Sequence, residues 1–252
     1  MTTVFYFSGT GNTRYIAELF ARMTQAECCS IEEKTNFPAL VAQSDMICLC
    51  YPIYGSRPPR IMREFAAKLR HELREKKLVI LCTQFLFSGD GARSLLDLLD
   101  PMQEVVYAEH FIMPNNISNF PPLPVAGSRA QARYGRNAEK KMRRICDNIE
   151  GGLIKKRGFH IGSRLLGLIQ AVHLPRMERR AMGDVRINES CTRCGLCASV
   201  CPMENLTMTS EGVEQKGDCT LCFRCVNRCP ERAMTVFVHG RVRRQYKNTM
   251  CI

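Results

Sequence analysis

The sequence predicts an α/β protein: a doubly wound parallel sheet of five strands, followed by a helical linker and a small α+β domain built around cysteines. Three observations carry this reading. Over the first 150 residues short apolar runs alternate with stretches of helical periodicity, the pattern of parallel strands joined through helices. The first run ends in a turn rich in hydroxyls and glycine, SGTGNT. Near the C-terminus the run CTRCGLCASVCP is followed by a second of the same spacing, CTLCFRCVNRCP.

TTVFYF is the first strand, and the periodicity behind it predicts a helix over 12–24. Residues 27–31 supply the second strand and 38–44 a short helix. DMICLCY is the third strand, with a helix over 58–71, and KKLVILCT the fourth, with a helix over 91–100. EVVYAEHFIM is the fifth strand, and 129–149 the last helix of the domain. On that helix Ala138, Met142, Ile145 and Ile149 form one apolar face, which should dock on the sheet, while Arg133, Arg136, Lys140, Lys141, Arg143 and Arg144 lie elsewhere. The next stretch, GFHIGSRLLGLIQAVHLPRMERRAM, is more apolar than a solvated linker. It should pack on one domain, fix the orientation of the two, or cover a ligand. His160 and His173 fall in it as candidate proton donors, although a lone histidine is more often a packed or solvated side chain. In the last part each cysteine loop is followed by a short helix and a strand (ENLTMTSEGV, then ERAMTVFVHG), so the two halves complete one compact unit. The expected boundaries are 1–150, 151–183 (linker), 184–240 (cysteine domain) and 241–252 (basic tail).

At 252 residues and 45% hydrophobic the chain is long enough for one full domain and a smaller one. It opens without a basic leader and long apolar stretch, and no window reaches the roughly 18–20 apolar residues of a spanning helix, so a cytoplasmic protein is expected. Fifteen cysteines in a chain of this length, eight of them in two identical metal-type spacings, point to a reducing compartment and not to a disulfide scaffold. Cys28, Cys29, Cys48, Cys50, Cys82, Cys146 and Cys251 lie mostly in apolar segments and read as small buried hydrophobes. The net charge of +12 is local: residues 129–180 carry 14 basic and 4 acidic side chains, and 241–252 carry 4 and none. Basic residues without interleaved exposed aromatics argue against single-strand nucleic-acid binding.

In SGTGNT two glycines (Gly9, Gly11) let the backbone turn and approach a ligand, and Ser8, Thr10 and Thr13 offer hydroxyls. With Asn12 they lead into a helix whose first amides are free for an anion, so the turn reads as a phosphate cradle. It lacks the lysine of a P-loop and is not the dinucleotide GxGxxG. The motif after strand one resembles the phosphate loop of the flavodoxin family, over roughly residues 1–150, and the resemblance implies bound FMN. It also implies flavin contacts from two further loops. In YPIYGSRPPR, Tyr51 and Tyr54 would lay a ring on the flavin while Pro52, Ile53 and Gly55 shape the turn. In TQFLFSGDG, Gln84, Phe85, Phe87, Ser88, Gly89, Asp90 and Gly91 would cover the opposite edge. The chain has no tryptophan, which many flavodoxins stack on the flavin, so Tyr54 is the candidate for that place.

The doubled C-x2-C-x2-C-x3-C-P is the run of bacterial ferredoxins that hold 4Fe-4S clusters. Zinc sites use two C-x2-C pairs instead. By resemblance to two-cluster ferredoxins the fourth cysteine of each run crosses over. One cluster then takes Cys191, Cys194, Cys197 and Cys229, and the other Cys219, Cys222, Cys225 and Cys201. The whole chain resembles the flavodoxin and ferredoxin fusion proteins of anaerobes. That resemblance and the cofactor layout imply an iron–sulfur flavoprotein which passes single electrons from a protein donor such as a ferredoxin through two 4Fe-4S clusters to FMN, and the basic residues clustered in 129–180 imply that this donor is acidic. FMN would then reduce an organic acceptor, making the protein an FMN-dependent reductase. The alternative is a carrier between redox enzymes with no substrate of its own; a redox sensor that uses the basic segment to bind nucleic acid or membrane is a third reading. Asn115 and Asn116, in MPNNISNFPPLP, are candidates for the acceptor's rim, and no catalytic residue is assigned.

Overall fold

In the computed structural model, which describes residues 1–86 and 88–250, the first half of the chain lays down strands β1 (Thr2–Tyr6), β2 (Glu27–Ser30), β3 (Met46–Pro52), β4 (Lys77–Gln84) and β5 (Val105–Ile112). A further strand, β6 (Lys155–Lys156), follows the last helix of the domain. All pair in parallel, in the order β2-β1-β3-β4-β5-β6. The chain leaves β1 for one side of the sheet and returns for β3 on the other, which makes a switch point at their carboxyl ends, where such folds bind ligands. The expected five strands are thus one short. Two lysines carry no apolar period to mark a strand; Lys155 and Lys156 reach the edge because β5 offers Tyr107 and Ala108 as partners and because buried Glu109 draws cations there.

Alternation along the strands splits the interior into two layers. On one face Phe5, Leu49, Leu78 and Ile80 pack beneath α2 (Phe37–Ala42), α3 (Arg60–Lys68), α4 (Arg70–Leu73) and a 3-10 turn over Arg93–Leu98. The other face sets Val4, Val79, Leu81 and Tyr107 under α1 (Asn12–Thr24) and α5 (Ser128–Glu150), with Ala138, Met142 and Ile145 on the docked side of α5. Cys29 and Cys82 belong to the first layer and Cys48, Cys50 and Cys146 to the second; burial holds the Cys82 and Cys50 thiols well above the usual range. The helix expected over 58–71 is interrupted into α3 and α4, and begins only after Pro59, as X-Pro geometry favours.

Lys141 of α5 turns inward and reaches Glu109 at 3.1 Å, joined by Lys155 at 3.0 Å and Arg157 at 3.3 Å. Next comes α6 (Ile161–Met182), one helix that runs through Pro175. His160 is its N-cap, accepting from the Ser163 amide at 3.2 Å, so the candidate proton donor is a structural cap. The side chain of His173 lies outside the described residues.

The cysteine domain pairs β7 (Val185–Ile187) with β10 (Met234–Val236), antiparallel, and β8 (Leu206–Met208) with β9 (Val213–Gln215). Helices α7 (Leu196–Ser199) and α8 (Arg224–Arg228) each follow a cysteine loop. Where a short helix and a strand were expected over 204–213, a hairpin forms, turning at Gly212, whose φ of 142° an L side chain rarely adopts.

The segment after residue 240 does not trail free. Tyr246 is buried, its amide donating to Asn227 Oδ1 at 2.7 Å and its hydroxyl to Asn12 Oδ1 at 2.5 Å. Thr249 then bonds Gln131 of α5 at 2.9 Å, so the strap ties the cysteine domain to both α1 and α5. Cys251 lies outside the described residues. No helix among the described residues is long and apolar enough to cross a membrane.

Candidate functional site

The turn after β1 folds on itself: the Gly11 amide donates to Ser8 Oγ at 3.1 Å, and Thr13 shares a hydrogen bond with Thr83 of β4 at 2.7 Å. Gly11 has φ 101°, the left-handed region, which is glycine's ground. Its neighbours come from far along the chain. A Cβ on Gly9 would stand 2.4 Å from the Cys222 carbonyl oxygen, and one on Gly11 would stand 2.8 Å from Asn248. The packing of the C-terminal half onto the turn therefore requires glycine at position 9, and the left-handed backbone requires it at position 11.

Four loops at the switch point enclose a cavity of about 250 Å³. From the turn, Ser8, Gly9, Thr10, Asn12 and Thr13 line it; Pro52, Ile53, Tyr54 and Gly55 come from the loop after β3, and Gln84 and Phe85 from the end of β4. Asn115 and Asn116, after β5, line it too, and both are already engaged. Asn115 Oδ1 accepts from the Ile117 amide at 3.0 Å, and Asn116 Nδ2 donates to Thr10 Oγ1 at 2.9 Å.

Other expected contacts lie elsewhere. Tyr51 is fully buried in the first core layer with its hydroxyl on the Gly91 carbonyl at 3.0 Å, so it is not a cavity wall. Ser88 bonds Gln84 at 2.8 Å. Gly89 and Asp90 are pressed against α6, where a Cβ on Gly89 would come 2.3 Å from the Gly167 nitrogen. Gly91 makes room for Ile53, and Gly11 touches the strap and not the cavity. In this half of the loop Gly89 seats a helix and Gly91 a neighbouring side chain. Phe87 lies outside the described residues.

The cysteines gather in two shells. One cavity is lined by Cys191, Cys194, Cys197 and Cys229, a second by Cys201, Cys219, Cys222 and Cys225, so each shell holds three thiols of one run and the last thiol of the other. Eight soft thiolate donors in two such shells suit iron and sulfide. Among the described residues no three His, Cys, Asp or Glu side chains converge on a point that would hold a single metal ion.

The central cavity and the second thiol shell share a wall. Phe223 lines both, and Leu221 faces the first. Tyr54 packs against the core of the cysteine domain, its hydroxyl enclosed and without a partner among the described residues. Burial pushes its phenol well above the usual range, with Cys222 and Cys219 adding to the rise. Phe223 has φ 57°, where the first run places Gly195 at φ 76°. A backbone that glycine adopts without strain is thus held by an aromatic residue, and comparing CTRCGLC with CTLCFRC in the sequence exposes the exchange.

Arg224 closes the junction. Its guanidinium donates to the Ser8 and Gly9 carbonyls at 2.9 and 3.1 Å, to Val200 O at 3.1 Å, and twice to Glu32 at 2.8 Å. Arg224, Phe223, Leu221, Phe237 and Met177 are site residues that sequence reasoning missed. Apart from the Gly195 to Phe223 exchange, nothing local marks them, because their roles depend on which surfaces meet.

The site holds, in one chain, a hydroxyl-rich cradle at a sheet switch point and two shells of thiols. Such a pairing defines an electron-transfer protein of iron–sulfur and flavodoxin type, in which redox partners are implied. The chain belongs to the flavodoxin domain family, matched over residues 3–151, and is fused to a 4Fe-4S dicluster domain matched over residues 190–233. The resemblance to flavodoxin and ferredoxin fusions is borne out. Among solved structures, the two-electron reduced flavodoxin of Megasphaera elsdenii is 26% identical, covering 44% of this chain and 85% of that one, with a TM-score of 0.37. A flavoprotein from Bacteroides eggerthii DSM 20697, described as putative, is 21% identical over 43% and 86%, with a TM-score of 0.38. A flavoprotein of Lactobacillus acidophilus NCFM in complex with FMN is 11% identical over 43% and 91%, with a TM-score of 0.36. No curated protein matches the chain.

Proposed function

We propose that this protein is an iron–sulfur flavoprotein that takes single electrons from an acidic protein donor such as a ferredoxin into residues 184–240. It passes them to FMN held by residues 1–150 and from there to an acceptor. The observation that carries the reading is the shared wall: Phe223 borders both the central cavity and the shell of Cys201, Cys219, Cys222 and Cys225.

The residues present fit the group. Ser8, Thr10, Asn12 and Thr13 bring hydroxyls, an amide side chain and the first amides of α1 to one end of the cavity, as a phosphate requires. Ile53, Tyr54, Phe85, Leu221, Phe223 and Phe237 give the rest of it apolar and aromatic walls for a ring. The Tyr54 ring contributes to that wall, while its hydroxyl is enclosed against the cysteine domain. FMN bound there would supply the exchange between one-electron and two-electron chemistry, and 4Fe-4S clusters in the two thiol shells would supply single-electron transfer. The chain's own part is to hold the cradle with Arg224 and the strap, exclude water with the aromatic wall, and place the second shell against it.

Two readings of the acceptor differ by space. The cavity of about 250 Å³ is only partly enclosed and opens to solvent, so one side of a molecule bound in it stays exposed. This favours delivery through an exposed edge of the flavin, as in a carrier, over an enclosed acceptor as in a reductase. The donor would approach Lys140, Arg143 and Arg144, which are exposed on α5, whereas Lys141 is committed to Glu109. The function is consistent with a cytoplasmic place.

The experiment is anaerobic purification, chromatographic identification of the flavin, an iron count, and stopped-flow reoxidation with small quinones and with protein acceptors in parallel. FMN, about eight irons per chain as for two four-iron clusters, and a Cys201→Ser variant that loses iron from the second shell are expected. FAD or no flavin, or iron indifferent to Cys201, would sink the reading. Reoxidation by small acceptors as fast as by proteins would restore the reductase.

A further inference from the structure

Helix α6 is built inside out. Among the described side chains its packed side is mostly polar or small: Ser163 and Gly167 lie on Gly89 and Asp90, Gln170 accepts from the Ser56 hydroxyl, and Glu178 pairs with Arg63 at 2.9 Å. Its outer side carries Ile161, Leu165, Leu168, Ile169 and Val172, each 58–77% exposed. At about 100° per residue these five fall within about one quarter of the helix circumference. The same arc continues past Pro175 into Arg176, Arg179 and Arg180, all exposed. Soluble helices bury their aliphatic stripe, so a contiguous exposed one marks a surface that meets something.

Charge selects the occupant. Residues 151–182 carry seven basic side chains and a single acidic one, Glu178, which Arg63 already holds. A second copy meeting it through the same face would bring the same arginines and no free carboxylate to meet them. The five aliphatics stand as a projecting ridge, each more than half exposed, and so fit a yielding apolar layer better than a pocketed protein surface. Aliphatics on the arc followed by guanidiniums on the same arc match acyl chains below and phosphates above, the pattern of helices that lie in a bilayer interface.

We propose that the outer face of α6 docks on an anionic lipid surface, with Ile161, Leu165, Leu168, Ile169 and Val172 entering the acyl boundary and Arg176, Arg179 and Arg180 on the headgroup phosphates. The proposal goes beyond the electron-transfer reading and does not rest on it, because no residue of the stripe lines the central cavity or a thiol shell. It makes α6 a floor: Met177, on another side of the same helix, lines the cavity.

The test is flotation of the full, anaerobically purified chain with vesicles of phosphatidylcholine alone and of equal parts phosphatidylcholine and phosphatidylglycerol. Binding to the anionic vesicles only is expected, weakened by salt and by about fivefold for each arginine removed, as in Arg179→Gln. The double change Leu165→Glu with Ile169→Glu should abolish flotation while iron content and far-UV circular dichroism stay as they were, since both side chains are exposed. Absence of flotation with anionic vesicles overturns the proposal, as does flotation that ignores the double change. A dimer in sedimentation velocity, or a bound acidic protein, that is lost in the double variant without any flotation would give the face to that partner instead.

Discussion

Gly9 stands where two halves of the chain meet backbone to backbone. A methyl group there would come 2.4 Å from the Cys222 carbonyl oxygen, which has no flexible end to move aside. Gly9→Ala should therefore destabilise the protein by about 2 kcal/mol and weaken FMN binding, read by thermal unfolding and by quenching of flavin fluorescence; wild-type values for both would mean the halves are not in contact. His110 is the second residue whose setting makes a prediction. Burial, then the charges of Arg157 and Lys141, push its imidazole down to about 4 from 6.5, against the pull of Glu109. The unfolded chain takes up the proton first, so the stability gained by keeping His110 neutral is full above pH 6.5 and is lost progressively down to about 4. That loss amounts to about 3 kcal/mol, and urea unfolding across this window should show it flattened in His110→Gln. Below it the Glu109 carboxyl takes over. Burial alone would raise it, but the His110 amide, Lys141 and Lys155 outweigh burial and bring it to about 2, so its contribution, full above 4.5, falls away between 4.5 and 2.

At the scale of elements, the short helix α8 and the strap after residue 240 do more than their lengths suggest. Arg224, at the start of α8, ties Ser8 and Gly9 to Glu32 by charge-assisted hydrogen bonds. Lysine has no planar fork for that geometry. Arg224→Ala should cost about 2 kcal/mol and raise the FMN dissociation constant, while Arg224→Lys should recover only part of either; a neutral Arg224→Ala would make the clamp decorative. The strap's Tyr246 reaches Asn12 at the opening of α1, so its removal should expose the same turn. Edge strand β6 illustrates the opposite case. It is two lysines long, and the buried Glu109 carboxylate with its three cations accounts for it better than any strand propensity.

For the whole molecule, the parallel sheet has both core layers complete within residues 1–150, apart from contacts with Cys222, Phe159 and Met250, whereas the central cavity does not. Leu221, Phe223 and Phe237 of the cysteine domain form one of its walls. A chain ending at residue 183 should thus keep its far-UV circular dichroism per sheet residue but bind FMN at least about tenfold more weakly, a loss of about 1.4 kcal/mol or more. Wild-type affinity in the fragment would mean that the wall is idle. The alternating apolar runs, the cradle after β1 and the doubled cysteine spacing could be read from the sequence because each is a local pattern whose chemistry is complete within a dozen residues. Tyr51 and Tyr54 show the limit: three residues apart, they look alike in sequence, but β3 ends between them, so Tyr51 packs into the core from the strand while Tyr54 leaves on the loop and lines the cavity. The sequence by itself determined the two domains, the sheet class and the eight thiols. Only the tertiary structure decided that the glycines of the cradle face Cys222 and Asn248, that Arg224 and Phe223 complete the cavity, and that the basic tail is a strap. The physical reason is that packing between distant surfaces depends on shape and burial that emerge once the chain has closed, and these leave no period or spacing along it.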